Sequence, residues 1–231
     1  MTSPITNVDT TAGIATERSF LREVFAWMIL ALAITTGVAI WFHASTNIVN
    51  YFDDHQGLFW ACLIAQLAMV VVLAGAINRI SAQVAAVVFC VYAALTGLTF
   101  SILLEVYTTG SIVTAFAGAT GVFCGMAFYG YTTERDLSGL GAILFGALIG
   151  LIAASVAFIF VGGETFNLII GFGGVVIFAG LTAYDMQKLK QIGAGTLSDD
   201  QHQKAAIFGA LALYLDFINL FLSLLRIFGR D

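Results

Sequence analysis

The chain is short of nearly everything a water-soluble domain is built from. Of its 231 residues only 10% are charged and only one is proline, against about 25% charged in ordinary soluble domains. So little charge excludes a hydrated surface of normal size, and so little proline leaves long helices unbroken. Cysteine is nearly absent. Cys62, Cys90 and Cys124 fall in three different apolar runs, at neither metal-ligand nor redox spacing, which leaves them as small buried hydrophobes. The three histidines, His43, His55 and His202, read as lying in three separate loops, which argues against a histidine metal site. There is no HExxH, no GxSxG, no phosphate-cradling loop and no Ser/His/Asp set at one depth, so the sequence reads as a protein that is not an enzyme and carries no cofactor. Intramembrane proteases also work with two acids, but the motifs that hold those acids are missing. The net charge of −5 is scattered among connections and forms no run, which excludes nucleic acid as a partner.

What the chain does have is hydrocarbon. Hydrophobic residues make up 60% of it, and the mean hydropathy is +0.96. Apolar windows long enough to cross a bilayer sit at about 24–42, 58–77, 82–104, 111–131, 140–161, 166–185 and 204–227. Continuous apolar runs of about twenty residues suit helices that satisfy their own backbone inside lipid, whereas a barrel would show short alternating segments. The fold class is therefore an all-α integral membrane protein of seven transmembrane helices. Residues 1–18 are polar, begin without a basic n-region, and read as a disordered tail rather than a cleaved signal, ahead of a transmembrane domain at 19–231.

Basic residues orient these spans. Arg18 and Arg22 precede the first, Arg79 lies in the second connection, Arg135 in the fourth, and Lys188, Lys190 and Lys204 in the sixth, while connections one, three and five hold none. Short basic loops stay cytoplasmic, which places the N-terminus inside. Arg226 and Arg230 break the alternation if the seventh segment crosses fully, and a re-entrant seventh segment would restore it. Gly121/Gly125 and Gly146/Gly150 have the spacing that lets helices pack closely. Gly171, Gly173, Gly174 and Gly180 make the sixth span adaptable and mark it as a moving part.

Against this background two acids stand out. Asp216 lies about 18 Å along the helix from Lys204 and about 15 Å from Arg226, hence at mid-depth. A central Asp costs about 2.5–3.5 kcal/mol on insertion scales, so it must face the protein interior or a wet cavity. At 100° per residue, Gly209, Ala212, Asp216, Asn219, Ser223 and Arg226 share one narrow polar stripe on an otherwise apolar cylinder, as expected of a helix surrounded by others. Asp185 closes the sixth span in "GLTAYDMQKLK" (180–190), one turn after Thr182 and just before Lys188 and Lys190. It is either an interfacial charge paired with Lys188 or the neighbour of Asp216, since spans six and seven run antiparallel. Two acids facing each other in a poorly hydrated interior share one proton. Gln66 reads as a hydrogen-bonding residue between helices, and Glu105, Glu134 and Asp136 as solvated charges.

These residues are familiar as a set. "LYLDFINLFLSLLRIFG" (213–229), "TAYDMQKLK" (182–190) and "TTERDLSGLG" (132–141) together resemble the Bax inhibitor-1 family, in its bacterial YccA-like branch, from about residue 20 onward. The resemblance implies two three-helix groups around a central C-terminal helix, in the inner membrane of a bacterium. It also implies a pH-sensitive calcium leak, with Asp185 and Asp216 as its hydrogen-bonded gating pair and Arg79 as the counterpart of an arginine that latches onto the sixth-helix acid. On this reading Thr182, Asn219 and Ser223 line the pore, Asp185 and Asp216 form a weak, transient calcium site, and the partners are membrane lipids and the permeating ion. Relatives that carry an acid where this chain has Gln66 use a device this chain lacks. The rival reading, also permitted by the resemblance, is a regulator that contacts a membrane protease or another membrane protein and moves no ions.

Overall fold

The computed structural model describes residues 5–45, 56–76 and 79–229. Among them the chain is all helix, with no strand: α1 Ile5–Ser45, α2 Gln56–Ala76, α3 Ala82–Phe100, a single turn α4 Leu103–Val106, α5 Thr109–Thr132, α6 Ser138–Val161, α7 Glu164–Gly193 and α8 Asp199–Phe228. Among the described residues six segments are long and apolar enough to cross a membrane, Thr16–Ser45, Ala82–Val106, Thr109–Thr132, Ser138–Val161, Glu164–Gly193 and Asp199–Phe228, while α2 holds a shorter apolar stretch, Gly57–Leu73. This is a multi-pass membrane architecture.

The helices begin where the sequence offers caps. Ser81 accepts from the Val84 N–H at 3.3 Å and Thr108 from the Ser111 N–H at 3.1 Å. Before α8, Ser198 and Gln201 bond each other's backbone N–H groups, the reciprocal box that satisfies two otherwise orphaned donors, and Asp199 and Asp200 complement the helix dipole. Ahead of α6, the Asp136 carboxylate accepts from both the N–H and the hydroxyl of Ser138, at 2.9 and 2.8 Å. Those two bonds hold its pKa below the usual carboxylate value of 3.8. The sign follows: this contact supports the turn at neutral pH and is lost only as pH falls through that lowered value. Between α6 and α7 the chain reverses on Gly162 (φ 64°) and Gly163 (φ 96°), a backbone that side chains rarely tolerate.

Three boundaries differ from the hydropathy reading. Helix α1 starts at Ile5, inside the segment expected to be a disordered tail, because extending a formed helix adds one hydrogen bond per residue without a new nucleus. Helix α7 continues to Gly193, eight residues past Asp185, since Met186 and Leu189 keep one face buried after the charges begin. Helix α8 begins at Asp199, five residues before the expected span, and runs unbroken to Phe228. His43 and His202 accordingly lie on helices rather than in loops, and His55 lies outside the described residues.

The chain forms two compact units, Met1–Val106 with Leu189–Leu211, and Tyr107–Lys188 with Ala212–Asp231. In the first, α3 packs on α1 and α2. Gly97 lies against the Thr35 backbone, Thr35 Oγ1 donates to Ala93 O at 2.9 Å, and Gln66 bridges α2 to α3 by donating to Leu95 O (3.4 Å) and accepting from Thr96 (3.3 Å). In the second, Phe116 and Phe123 of α5 meet Phe217 of α8 edge-on, at 5.5 and 5.7 Å between ring centres.

The glycines pack differently from the expectation. Around Gly121, Gly125, Gly146 and Gly150 a Cβ would meet nothing within 4 Å, whereas Gly130 abuts the Ala183 backbone, Gly141 the Tyr184 ring, Gly174 the Ser223 hydroxyl and Gly180 the Leu144 side chain. Spacing alone does not say which side of an all-round apolar helix faces inward, and α6 buries 0% of its apolar window. Three of the four glycines read as giving α7 freedom, Gly171, Gly174 and Gly180, are instead points of close contact. Cys62 is buried as expected, while Cys124 faces outward.

Candidate functional site

The second unit brings together the acids that the sequence singled out. Helices α7 and α8 run antiparallel within it, since Gly174 abuts Ser223 and Arg226 Nη1 donates to Asn167 Oδ1 at 2.8 Å. That register carries Thr182 and Asp185 to the level of Asp216. Asp216 is 4% exposed, with Tyr214 and Leu220 fully buried on the same helix. Helix α8 buries 67% of its apolar window, the largest share of the six spans. The Asp216 carboxyl is in hydrogen-bond contact with the Thr182 hydroxyl and within electrostatic reach of Asp185, and Asp185 is in turn within reach of Lys188. Oδ2 of Asp216 is buried and has no hydrogen-bond partner among the described residues.

Asn219 and Ser223 of the stripe, and Thr182 of α7, bond back to their own helices. Asn219 Nδ2 donates to Leu215 O (2.8 Å), Ser223 Oγ to Asn219 O (2.6 Å), and Thr182 Oγ1 to Phe178 O (2.7 Å). The hydroxyl protons of Ser223 and Thr182 are thereby used, so these two offer a passing group oxygen, while Asn219 offers its carbonyl oxygen and keeps a second amide N–H. Arg226, at the far end of the stripe, rests over the Phe158 ring at 5.9 Å. Arg79 stands exposed in the turn before α3, and no ion pair among the described residues includes it. Glu105, Glu134 and Asp136 are exposed, as read from the sequence.

One residue escaped the sequence reading. Gln187, two positions after Asp185 and 8% exposed, donates through Nε2 to Arg135 O at 2.8 Å and accepts through Oε1 from the Leu137 N–H at 2.9 Å. Its amide thus pairs the buried Leu137 N–H, which would otherwise be unsatisfied, and the part-buried Arg135 carbonyl of the α5–α6 connection. With Gly130 against Ala183 and Gly141 against Tyr184, it fixes the turn of α7 that bears Asp185 against both neighbouring helices. Gln187→Leu should lower stability by about 1–3 kcal/mol, the cost of leaving the buried Leu137 N–H unpaired, since the part-buried Arg135 carbonyl can turn to water. Thermal unfolding of the detergent-solubilised protein measures it, and a midpoint equal to the wild type's would remove the fastening role.

Comparison with known proteins gives the family. The family model described as "Inhibitor of apoptosis-promoting Bax1" matches residues 17–231. The chain belongs to the Bax inhibitor-1 family. Within that family it is similar to "Inner membrane protein YbhL" of Escherichia coli strain K12, at 44% identity over 215 residues and 92% of each chain. An uncharacterized protein of Deinococcus radiodurans is 43% identical over 210 residues, 91% of this chain and 90% of that one. An uncharacterized membrane protein of Streptococcus pyogenes serotype M3 is 37% identical over 185 residues, 80% of each. The Bax inhibitor-1 assignment covers both units and every residue of the site.

Proposed function

We propose that the protein is a pH-sensitive calcium leak channel whose gate is the Asp185–Asp216 pair, with its N-terminus in the cytoplasm. The observation that carries this reading is a carboxyl group 4% exposed, with one unpartnered oxygen and a second carboxyl group in electrostatic reach. The Thr182 hydroxyl has one proton, and it is committed to Phe178 O. Toward Asp216 the Thr182 oxygen is therefore left as an acceptor, and that contact is a hydrogen bond when Asp216 carries a proton and donates it. Held in that form, the pair keeps α7 and α8 together. Loss of the proton leaves two like charges in a site where neither is well solvated, and the helices part.

The donor set suits passage rather than storage. Calcium takes six to eight oxygen ligands, and among the described residues no group of three or more His, Cys, Asp or Glu side chains is placed to hold a metal ion. Two carboxylates with the oxygens of Asn219 and Ser223 bind it weakly and briefly, as conduction requires. A latching role for Arg79 on Asp185 belongs to this proposal on the strength of the family resemblance alone.

The family description, an inhibitor of apoptosis-promoting Bax1, favours a second reading, a regulator acting by contact with other proteins and moving no ions. Calcium entry into dye-loaded proteoliposomes, at several pH values, separates the two. The channel gives entry above empty vesicles that rises with pH. Entry equal to that of empty vesicles at every pH would leave the regulator. Calcium driven uphill by an imposed proton gradient would mean a coupled transporter instead.

A further inference from the structure

His202 lies near the start of α8, in the first unit, where its ring meets Phe20 of α1 edge-on at 5.2 Å between centroids. Phe20 is fully buried and seated against Gly193 at the end of α7, so the imidazole rests on a fixed surface. Its Nδ1 stands 3.4 Å from Oε2 of Glu23, with the two side chains 25% and 33% exposed. At that distance the two form an ion pair when the imidazole is protonated. Imidazole changes charge between about pH 5 and 8, and a charged donor makes the stronger bond to a carboxylate.

The surroundings leave this pair to itself. On α8, Asp200 is committed to Lys204 at 2.7 Å, and Asp199 is exposed in the first turn. On α1, Arg18 and Arg22 are exposed and Glu17 is buried. At the end of α7, Lys190 has interactions of its own.

We propose that His202 and Glu23 form a proton-dependent tie between α1 and α8, a pH-responsive contact separate from the aspartate pair. The tie is tight when the imidazole is charged, at acid pH, and slackens as pH rises. It fastens the start of the same helix that bears Asp216 fourteen residues further on, about 21 Å along its axis. The tie stands whether or not the aspartates gate an ion.

The test is a double-mutant cycle of His202→Gln and Glu23→Gln in the full chain in detergent, read by thermal unfolding near pH 5.5 and near pH 8.5. The expected result is a coupling that multiplies the folding equilibrium about three- to fivefold near pH 5.5 and vanishes near pH 8.5. Equal coupling at both pH values, or none near pH 5.5, overturns the proposal. Backbone hydrogen exchange over residues 199–206, corrected for its intrinsic pH dependence, gives a second reading on the wild type alone. Protection there should rise toward acid pH, and protection that is flat or falling counts against the tie even if a variant fails to fold.

Discussion

Asp216→Asn should hold calcium entry at the wild type's low-pH level at every pH, with the protein still folded. Asparagine keeps the size and the Thr182 contact of a protonated aspartate but has no proton to lose, so the state with two like charges never forms. The free energy at stake is bounded below by the insertion cost of a central Asp, about 2.5 kcal/mol, which corresponds to about seventyfold in a closed-to-open equilibrium. The wild type should therefore show a flux that climbs steeply with pH beside a flat line for the variant. The amide can donate to the Thr182 oxygen as the protonated acid does and leaves the other position unpartnered as Oδ2 is now, so the unfolding midpoint should stay close to the wild type's. A variant whose flux climbs with pH as the wild type's does would put the gate elsewhere. Asp185→Asn should act in the same direction, to a lesser degree, because Asp185 is less deeply buried and has Lys188 nearby.

Gly130→Ala should cost about 1–3 kcal/mol, the usual range for a methyl forced into a filled site. The obstacle is the carbonyl of Ala183, which is backbone and cannot rotate away as a side-chain tip can. For the methyl to fit, α5 and α7 must separate at the turn that holds Thr182 and Asp185. Unfolding midpoints near this chain length move about 2–4 °C per kcal/mol, so a fall of several degrees is expected. Gly121→Ala is the matched control. It lies on the same helix, nothing stands within 4 Å of the new methyl, and the better helix propensity of alanine should leave stability unchanged or raised by up to about 1 kcal/mol. Equal effects of the two substitutions would mean that α5 and α7 do not pack as described.

The site was legible in the sequence where it broke a pattern. An acid in the middle of an apolar stretch has few bland explanations, so Asp216 could be picked out from composition and depth alone, and the antiparallel order of the last two helices brought Asp185 toward it. Gln187 broke no pattern. An amide followed by Lys188 reads as the solvated end of a span, because hydropathy falls at the first charges, whereas the helix continues on a buried face of Met186, Gln187 and Leu189. The same blindness hid the true end of α7. The close-packing glycines were misread for a related reason. Repeats such as Gly146/Gly150 are visible in a string of letters, but which side of α6 or α5 meets a neighbour is fixed by bulky side chains elsewhere, and a single glycine such as Gly130 has no spacing to advertise it.

The reversal at Gly162 and Gly163 also limits how α6 and α7 can be arranged. Two residues reach no more than about 7 Å, so the end of one helix and the start of the next are held at a single level and the two can lie only side by side, never with another helix threaded between their joined ends.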